Sequence, residues 1–283
     1  MARSPVLFIG HGSPMNTLET NGFTESWRNF GQSVAKPRAV LVVSAHWYFG
    51  ATAVTAMARP RTIHDFYGFP QALFDFQYPA PGAPDLAREV ADIAKPQWVG
   101  LDRDQWGIDH GAWSVLAHLY PEADVPVVQL SLNALKPWAY HLDLAARLAP
   151  LRDQGVMILA SGNVVHNLQR LRWDQPDLAF DWAERFDDAV VDQLASDPAA
   201  IARVAEHADF EMAVPTPDHF LPLLYVAALA GAAGESPAAL VRGYSMGSIS
   251  MTCYGLGMEA SGCRDRAGAA SLPPGPPPDQ TNI

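Results

Sequence analysis

The chain has 283 residues, 49% of them apolar and 17% charged, with a formal net charge of −11. This composition is globular rather than disordered, and long enough to bury a substantial core in one large domain or two modest ones. The acidic balance argues against nucleic acid or an anionic membrane as a partner, since both need a basic face. The two cysteines, Cys253 and Cys263, make neither a disulfide framework nor a thiolate zinc site, so a reducing cytoplasm is the expected location. The apolar run near the N-terminus is too short for a signal sequence, and no stretch is long enough to span a bilayer.

Residues 5–9 (PVLFI) read as a buried strand that ends in Gly10-His11-Gly12-Ser13-Pro14, and residues 15–35 as a helical return with Trp27 and Phe30 on one face. Residues 39–43 are an unbroken, valine-rich run suited to the middle of a parallel sheet covered on both faces. It gives way to Ser44-Ala45-His46-Trp47, which puts His46 at the carboxyl edge, where open α/β sheets bind ligands. Residues 51–58 alternate like a strand. Residues 59–84 are dense in proline, glycine and aromatics without a period. Such a segment reads as an ordered functional loop, expected to cover a pocket with His64 or Tyr67 near the substrate.

A helix is expected over 85–94 and a strand over 97–101. The turn carrying His110 follows, then a helix over 114–120, a strand over 125–132 and an amphipathic helix over 138–151. His141 on that helix reads as surface or satisfied. Residues 155–160 form another strand, the third whose exit combines glycine and histidine, here Ser161-Gly162-Asn163 through His166-Asn167. Helices are expected over 181–194 and 199–207. Thr216 or Asp218 would cap an apolar helix to about residue 230, leaving His219 in its first turn. The last strand is expected over 248–256. From Glu259 on, the chain is poor in core formers and reads as a disordered tail. The elements describe an α/β fold: one domain, 1–258, with a central, largely parallel or mixed sheet covered by helices, a metal site at the strand ends, and a tail over 259–283.

His11, His46 and His166 follow strands, His110 lies in a glycine-flanked turn, and His219 at a helix start. Strands of one sheet bring such positions to a common edge without any local ligand motif. Converging neutral imidazoles without cysteines indicate a metal with open positions, hence catalysis rather than a closed structural site. Unrelated core histidines are the competing reading. Gly10-His11-Gly12-Ser13 lacks the P-loop lysine and the third dinucleotide-binding glycine, and neither Ser44 nor Ser161 sits in G-x-S-x-G.

Several stretches taken together, GHGSPMN (10–16), PRAVLVVSAHW (37–47), TIHDFYGFP (62–70), DHGAWSVL (109–116), SGNVVHNL (161–168) and TPDHFLPLLY (216–225) among them, resemble the class III extradiol ring-cleaving dioxygenases of the 4,5-DOPA dioxygenase type. They run in order from residue 5 to about 257. The resemblance implies one divalent metal ion on His11, His46 and His219, Fe(II) for dioxygenase activity or Zn(II) as bound. It implies that His166 is an acid/base residue or a further metal neighbour, and that His110 lines the substrate site. Ser13, His64 and Tyr67 are the candidates for substrate contact. A catechol and O2 would be the reactants, His166 taking a proton from the diol. A histidine stands where better-known relatives have a carboxylate ligand, so zinc would also suit the site. A zinc hydrolase and a non-catalytic binding relative are the alternative functions.

Overall fold

The apolar runs that end in histidine or glycine become neighbours in one nine-stranded sheet. The computed structural model describes residues 3–258 and 263–271. Its strands are β1 (Val6–Gly10), β2 (Ala39–Phe49), β3 (Ala53–Thr55), β4 (Gly100–Asp102), β5 (Val127–Asn133), β6 (Val156–Gly162), β7 (Ala238–Arg242), β8 (Tyr244–Ser245), β9 (Ile249–Ser250), β10 (Cys253–Leu256) and β11 (Arg264–Asp265). The sheet order is β11-β7-β10-β1-β6-β2-β5-β3-β4, and β8 pairs with β9 as a separate ribbon. Strands β1, β6, β2 and β5 are mutually parallel, while β10 and β3 run antiparallel on either side. The sheet is therefore mixed with a parallel centre. Gly10 pairs with Gly162 and Ser44 with Ser161, so the exits of β1, β2 and β6 lie side by side.

The helices are α1 (Gly22–Ser33), α2 (Gln71–Phe74), α3 (Pro84–Ile93), α4 (His110–Leu119), α5 (Trp138–Arg147), α6 (Pro150–Asp153), α7 (Asp181–Ser196), α8 (Phe210–Ala213) and α9 (Leu221–Ala233). The unbroken strand runs serve two cores. Val6, Phe8, Leu41, Val43, Ile158 and Ala160 pack with α3, α5, α7 and α9. The alternate residues Leu7, Ile9, Val40, Val42, Met157 and Leu159 pack with α1, α4 and the aromatic loop. Double burial explains why the sequence shows no alternation in these strands. Helix α9 is apolar all round because ten of its residues, Leu221 to Ala230, are buried.

Four expectations change. Strand β2 continues through His46 to Phe49, with an irregular register between Val43 and Tyr48, so His46 lies within the strand's bulged end and not beyond it. The helix expected over 138–151 breaks into α5 and α6 before Pro150, as a proline without an N–H requires. The single strand expected over 248–256 is β9 and β10, separated at Met251-Thr252. Part of the expected tail, residues 263–271, instead forms β11 against β7 and buries Ala269 and Ala270. Residues 259–262 and 272–283 of that tail lie outside the described residues. No helix among the described residues is long and apolar enough to cross a membrane.

Candidate active site

Five imidazoles from five segments meet at the carboxyl edge of the parallel strands. His11 follows β1, His46 is in β2, His110 opens α4, His166 follows β6, and His219 precedes α9. Ring centroids are 5.0 Å apart for His11 and His46, 5.3 Å for His11 and His219, and 5.0 Å for His46 and His219. His110 lies 3.9 Å from His46, and His166 stacks on His219 at 3.5 Å. His11, His46 and His110 offer ring nitrogens within 4.8 Å of one another, as do His166 and His219 with Asp218. The backbone makes room for this. A Cβ on Gly162 would lie 2.2 Å from the His219 carbonyl, and one on Gly111 would lie 2.6 Å from His46 Cδ2.

Hydrogen-bond partners fix which nitrogen of each ring faces inward. Ser161 donates its single hydroxyl proton to the Gly111 carbonyl at 2.5 Å, so it accepts from His11 Nδ1, 3.0 Å away. That leaves the His11 lone pair on Nε2. His219 Nδ1 bonds to the Asp218 carboxylate, with the same consequence; His46 Nδ1 makes no hydrogen bond but lies 3.4 Å from Asp65 Oδ2, whose charge favours the proton on that nitrogen. His46 Nε2 and His11 Nε2 are then two lone pairs 3.1 Å apart. They cannot bond to each other, but they suit two ligands of one cation. Ligand atoms ~2.0–2.1 Å from a zinc ion lie roughly 3–3.4 Å apart. The buried His219 Nε2 has no hydrogen-bond partner. The donor set therefore fits one divalent ion, with carboxylates and a hydroxyl behind the ligands in the manner of metal-bound histidines.

Charge follows from burial. Desolvation, and then the neighbouring histidines His46, His219, His110 and His166, hold His11 well below the usual imidazole range. Desolvation and His110 do the same to His46, against the pull of Asp65. Neutral imidazoles are the metal-binding form. Burial opposes ionisation of Asp65 and Asp218, yet His110 and His46 outweigh it for Asp65, and His219 and His166 for Asp218, so both carboxyls lie below the usual carboxylate range. Behind them, fully buried Asp109 accepts from Ser44 at 2.7 Å, caps α4 at Ala112 N, and is bonded by Gln129. Burial and Asp65 push it up to about 6.

Two of the three candidate substrate-contact residues are held by backbone carbonyls. Ser13 caps the 3-10 turn Pro14–Thr17 and donates to the Ser271 carbonyl at 3.3 Å. His64 Nε2 pairs with the Phe76 carbonyl at 2.9 Å, and Tyr67 is half exposed. The aromatic loop reaches the cluster through their neighbours: Asp65, and Phe66 edge-on to His110 at 5.4 Å. Asp218 does not cap α9, which starts at Leu221 without a side-chain cap; it holds His219 instead. His141 is buried and satisfied by Tyr225 Oη and the Asn133 carbonyl, both at 3.3 Å. The sequence did not show Asp65, Ser161 and Asp218 as partners of the histidines, because a lone carboxylate or hydroxyl beside a histidine carries no spacing signal.

A sheet edge bearing this histidine cluster is that of a metal-binding α/β protein, and residues 4–256 match the family described as the catalytic LigB subunit of aromatic ring-opening dioxygenase. The chain belongs to that family and is a ring-opening dioxygenase acting on catechols with O2. It is 46% identical over 260 residues to a 4,5-DOPA dioxygenase extradiol of Escherichia coli (strain K12), covering 90% of this chain and 95% of that one. It is 39% identical to a 4,5-DOPA dioxygenase extradiol of Beta vulgaris, over 81% of this chain and 87% of that one. The crystal structure of an uncharacterized protein from Escherichia coli K12 superposes with a TM-score of 0.78 at 41% identity, covering 90% of this chain and all of that one. Family membership decides for the oxygenase over the hydrolase and the non-catalytic relative, and with the buried histidines it indicates a single metal ion.

Proposed function

We propose that the substrate is a catechol of the DOPA type, opened beside its diol, with His11, His46 and His219 as the metal ligands. The carrying observation is the 3.1 Å approach of His46 Nε2 to His11 Nε2 beside the unpartnered His219 Nε2. The activity for which the relatives are named supports the substrate class. The bound ion, Fe(II) in the active enzyme with Zn(II) as an inactive occupant, would act as a Lewis acid toward the diol and supply the redox chemistry that O2 requires.

The protein's own residues do the rest. His166, flat against His219, takes the proton that the diol must lose. His110 faces the same space from the start of α4, its unpartnered Nε2 available to a substrate oxygen. Phe66 and the loop that carries it exclude water from that side, with His64 and Tyr67 reserved for the substrate's outer end. Two free cysteines, Cys253 buried and Cys263 exposed, suit a cytoplasmic enzyme. The reading is tested by loading metal-free protein with Fe(II) under anaerobic conditions, then admitting O2 and a catechol panel including DOPA. Oxygen uptake with a yellow ring-opened semialdehyde is expected; the zinc-loaded protein should show neither. An Fe(II)-loaded protein that consumes no O2 with any catechol overturns it.

A further inference from the structure

The aromatic loop contributes one carboxylate to two separate imidazoles. Asp65 Oδ1 lies 2.9 Å from His110 Nδ1 and also accepts from the His110 backbone N–H at 3.0 Å. Its other oxygen, Oδ2, lies 3.4 Å from His46 Nδ1. The side chain is only 8% exposed, and Phe66, the next residue, packs on His110. His46 and His110 come from β2 and α4, which share no backbone hydrogen bond at these residues. Neither Nδ1 meets hydrogen-bond geometry toward the carboxylate, so Asp65 reaches both rings as one shared charge, which favours the proton on each Nδ1. We propose that Asp65 is a positioning residue, holding His46 with Nε2 toward the metal and His110 with Nε2 toward the substrate. The proposal rests on the metal and substrate roles given above to those two histidines.

The physical reason for a carboxylate here is its acceptor capacity. It can take both Nδ1–H groups and the backbone N–H at once, whereas an amide has one acceptor oxygen and presents N–H donors to whatever ring it meets. Asp65→Asn is nearly isosteric and should fold, yet it must turn its NH2 toward one of the two rings. That ring then flips or changes tautomer. Outer partners of metal-bound histidines typically carry ~10–100-fold in metal affinity or activity.

The experiment compares wild type, Asp65→Asn and Asp65→Glu by three readouts. Histidine ring 1H–15N correlations on metal-free protein report the tautomers without any metal or substrate. Zinc affinity by chelator competition reports His46, and kcat and KM of the Fe(II)-loaded enzyme with DOPA report His110. The expected result for Asp65→Asn is loss of at least one Nδ1–H tautomer, zinc affinity down ~10-fold or more, and kcat reduced ~10–100-fold with KM changed much less. Asp65→Glu should restore the tautomers. Unchanged tautomers in Asp65→Asn overturn the proposal, as does a variant that loses thermal stability while zinc affinity and kcat stay within twofold. Should wild type itself open no catechol, the substrate reading fails, while the tautomer and zinc comparisons still decide the role of Asp65.

Discussion

His166 lies flat against His219, their ring centroids 3.5 Å apart and their planes 6° from parallel. On the proposed reading His166 is the base that takes the diol's proton and not a fourth ligand, although it offers a nitrogen within 4.8 Å of the His219 and Asp218 ligand atoms. His166→Ala is therefore expected to retain metal and lose ~10²–10⁴ in turnover, the usual worth of a positioned base. His11→Ala, His46→Ala and His219→Ala should each lose metal and turnover together while remaining folded. Metal analysis beside oxygen uptake on purified variants separates the roles. A His166→Ala protein stripped of metal makes His166 a ligand, and a His110→Ala protein stripped of metal while His219→Ala keeps it would exchange those two in the ligand set.

Gly111→Ala tests the packing behind the same ring. In an exposed helix interior, alanine for glycine is stabilising by about 1 kcal/mol. Here the new Cβ would fall 2.6 Å from His46 Cδ2 and 2.7 Å from Ser44 Oγ, well inside contact distance, so His46 or α4 must move. The variant should lose metal affinity by ~10-fold or more, as misplaced ligand support does, despite its better helix propensity. Zinc competition measures this. Undiminished affinity would mean that β2 has slack at its irregular end.

The acid side of the stability curve should carry the buried histidines. His141 is pulled down to about 4 by desolvation, against its bond to the Asn133 carbonyl, and His11, His46 and His118 are lowered in the same direction, chiefly by burial. For a group with a depressed folded-state pKa, the unfolded chain takes up the proton first. Stability is then fully present above ~6.5, the unfolded imidazole value, and drains away as pH falls toward the folded value. His141 alone should cost the metal-free protein up to about 3 kcal/mol between pH 6.5 and 4. His141→Gln removes that titration. Urea unfolding midpoints measured across this range should fall less steeply for the variant; parallel curves for the two proteins would sink the idea.

The sequence revealed the parallel centre of the sheet because its strands are buried on both faces and read as solid apolar runs. It concealed β7 and β11 because short strands near the sheet's edge such as Ala238–Arg242 and Arg264–Asp265 owe their form to neighbours. The five histidines were visible through their places after strands and beside glycines. Their supports were not. Ser161 and Asp218 look like an ordinary strand exit and an ordinary helix cap, and the pairing of Asp65 with His46 and His110 spans elements that only the fold brings together. His64 and Tyr67 rested on the loop's aromatic density, which says that the loop packs but not which of its residues turns inward. Phe66 and Asp65 reach the imidazoles, while His64 is held by Phe76.

The segment 263–271 ties the start of the site to the far edge of the sheet. Asn16 is fully buried and donates to the His11 carbonyl at 3.1 Å. Its own Oδ1 accepts from Asn21 at 2.8 Å and from the Ala270 backbone at 3.0 Å. Ser13 donates to the Ser271 carbonyl, and Arg266 N–H joins the sheet at the Arg242 carbonyl. The chain beyond residue 262 therefore bears on His11 through one buried asparagine, although the family match ends at residue 256. Deleting residues 263–283 would uncover the surface against which Ala269 and Ala270 are buried, uncover one side of Asn16 and remove the two-residue β11. The expected cost is about 1–3 kcal/mol in stability, from the apolar surface uncovered and the hydrogen bond that Asn16 Oδ1 loses. The His11 loop would also loosen, so metal should dissociate faster from the truncated protein than from the full chain. Asn16→Ala in the full chain should reproduce the faster metal loss while leaving β11 in place. Stopped-flow zinc release to a chelator gives both rates, and a truncated protein releasing zinc as slowly as the full chain would reduce this segment to a simple edge strand.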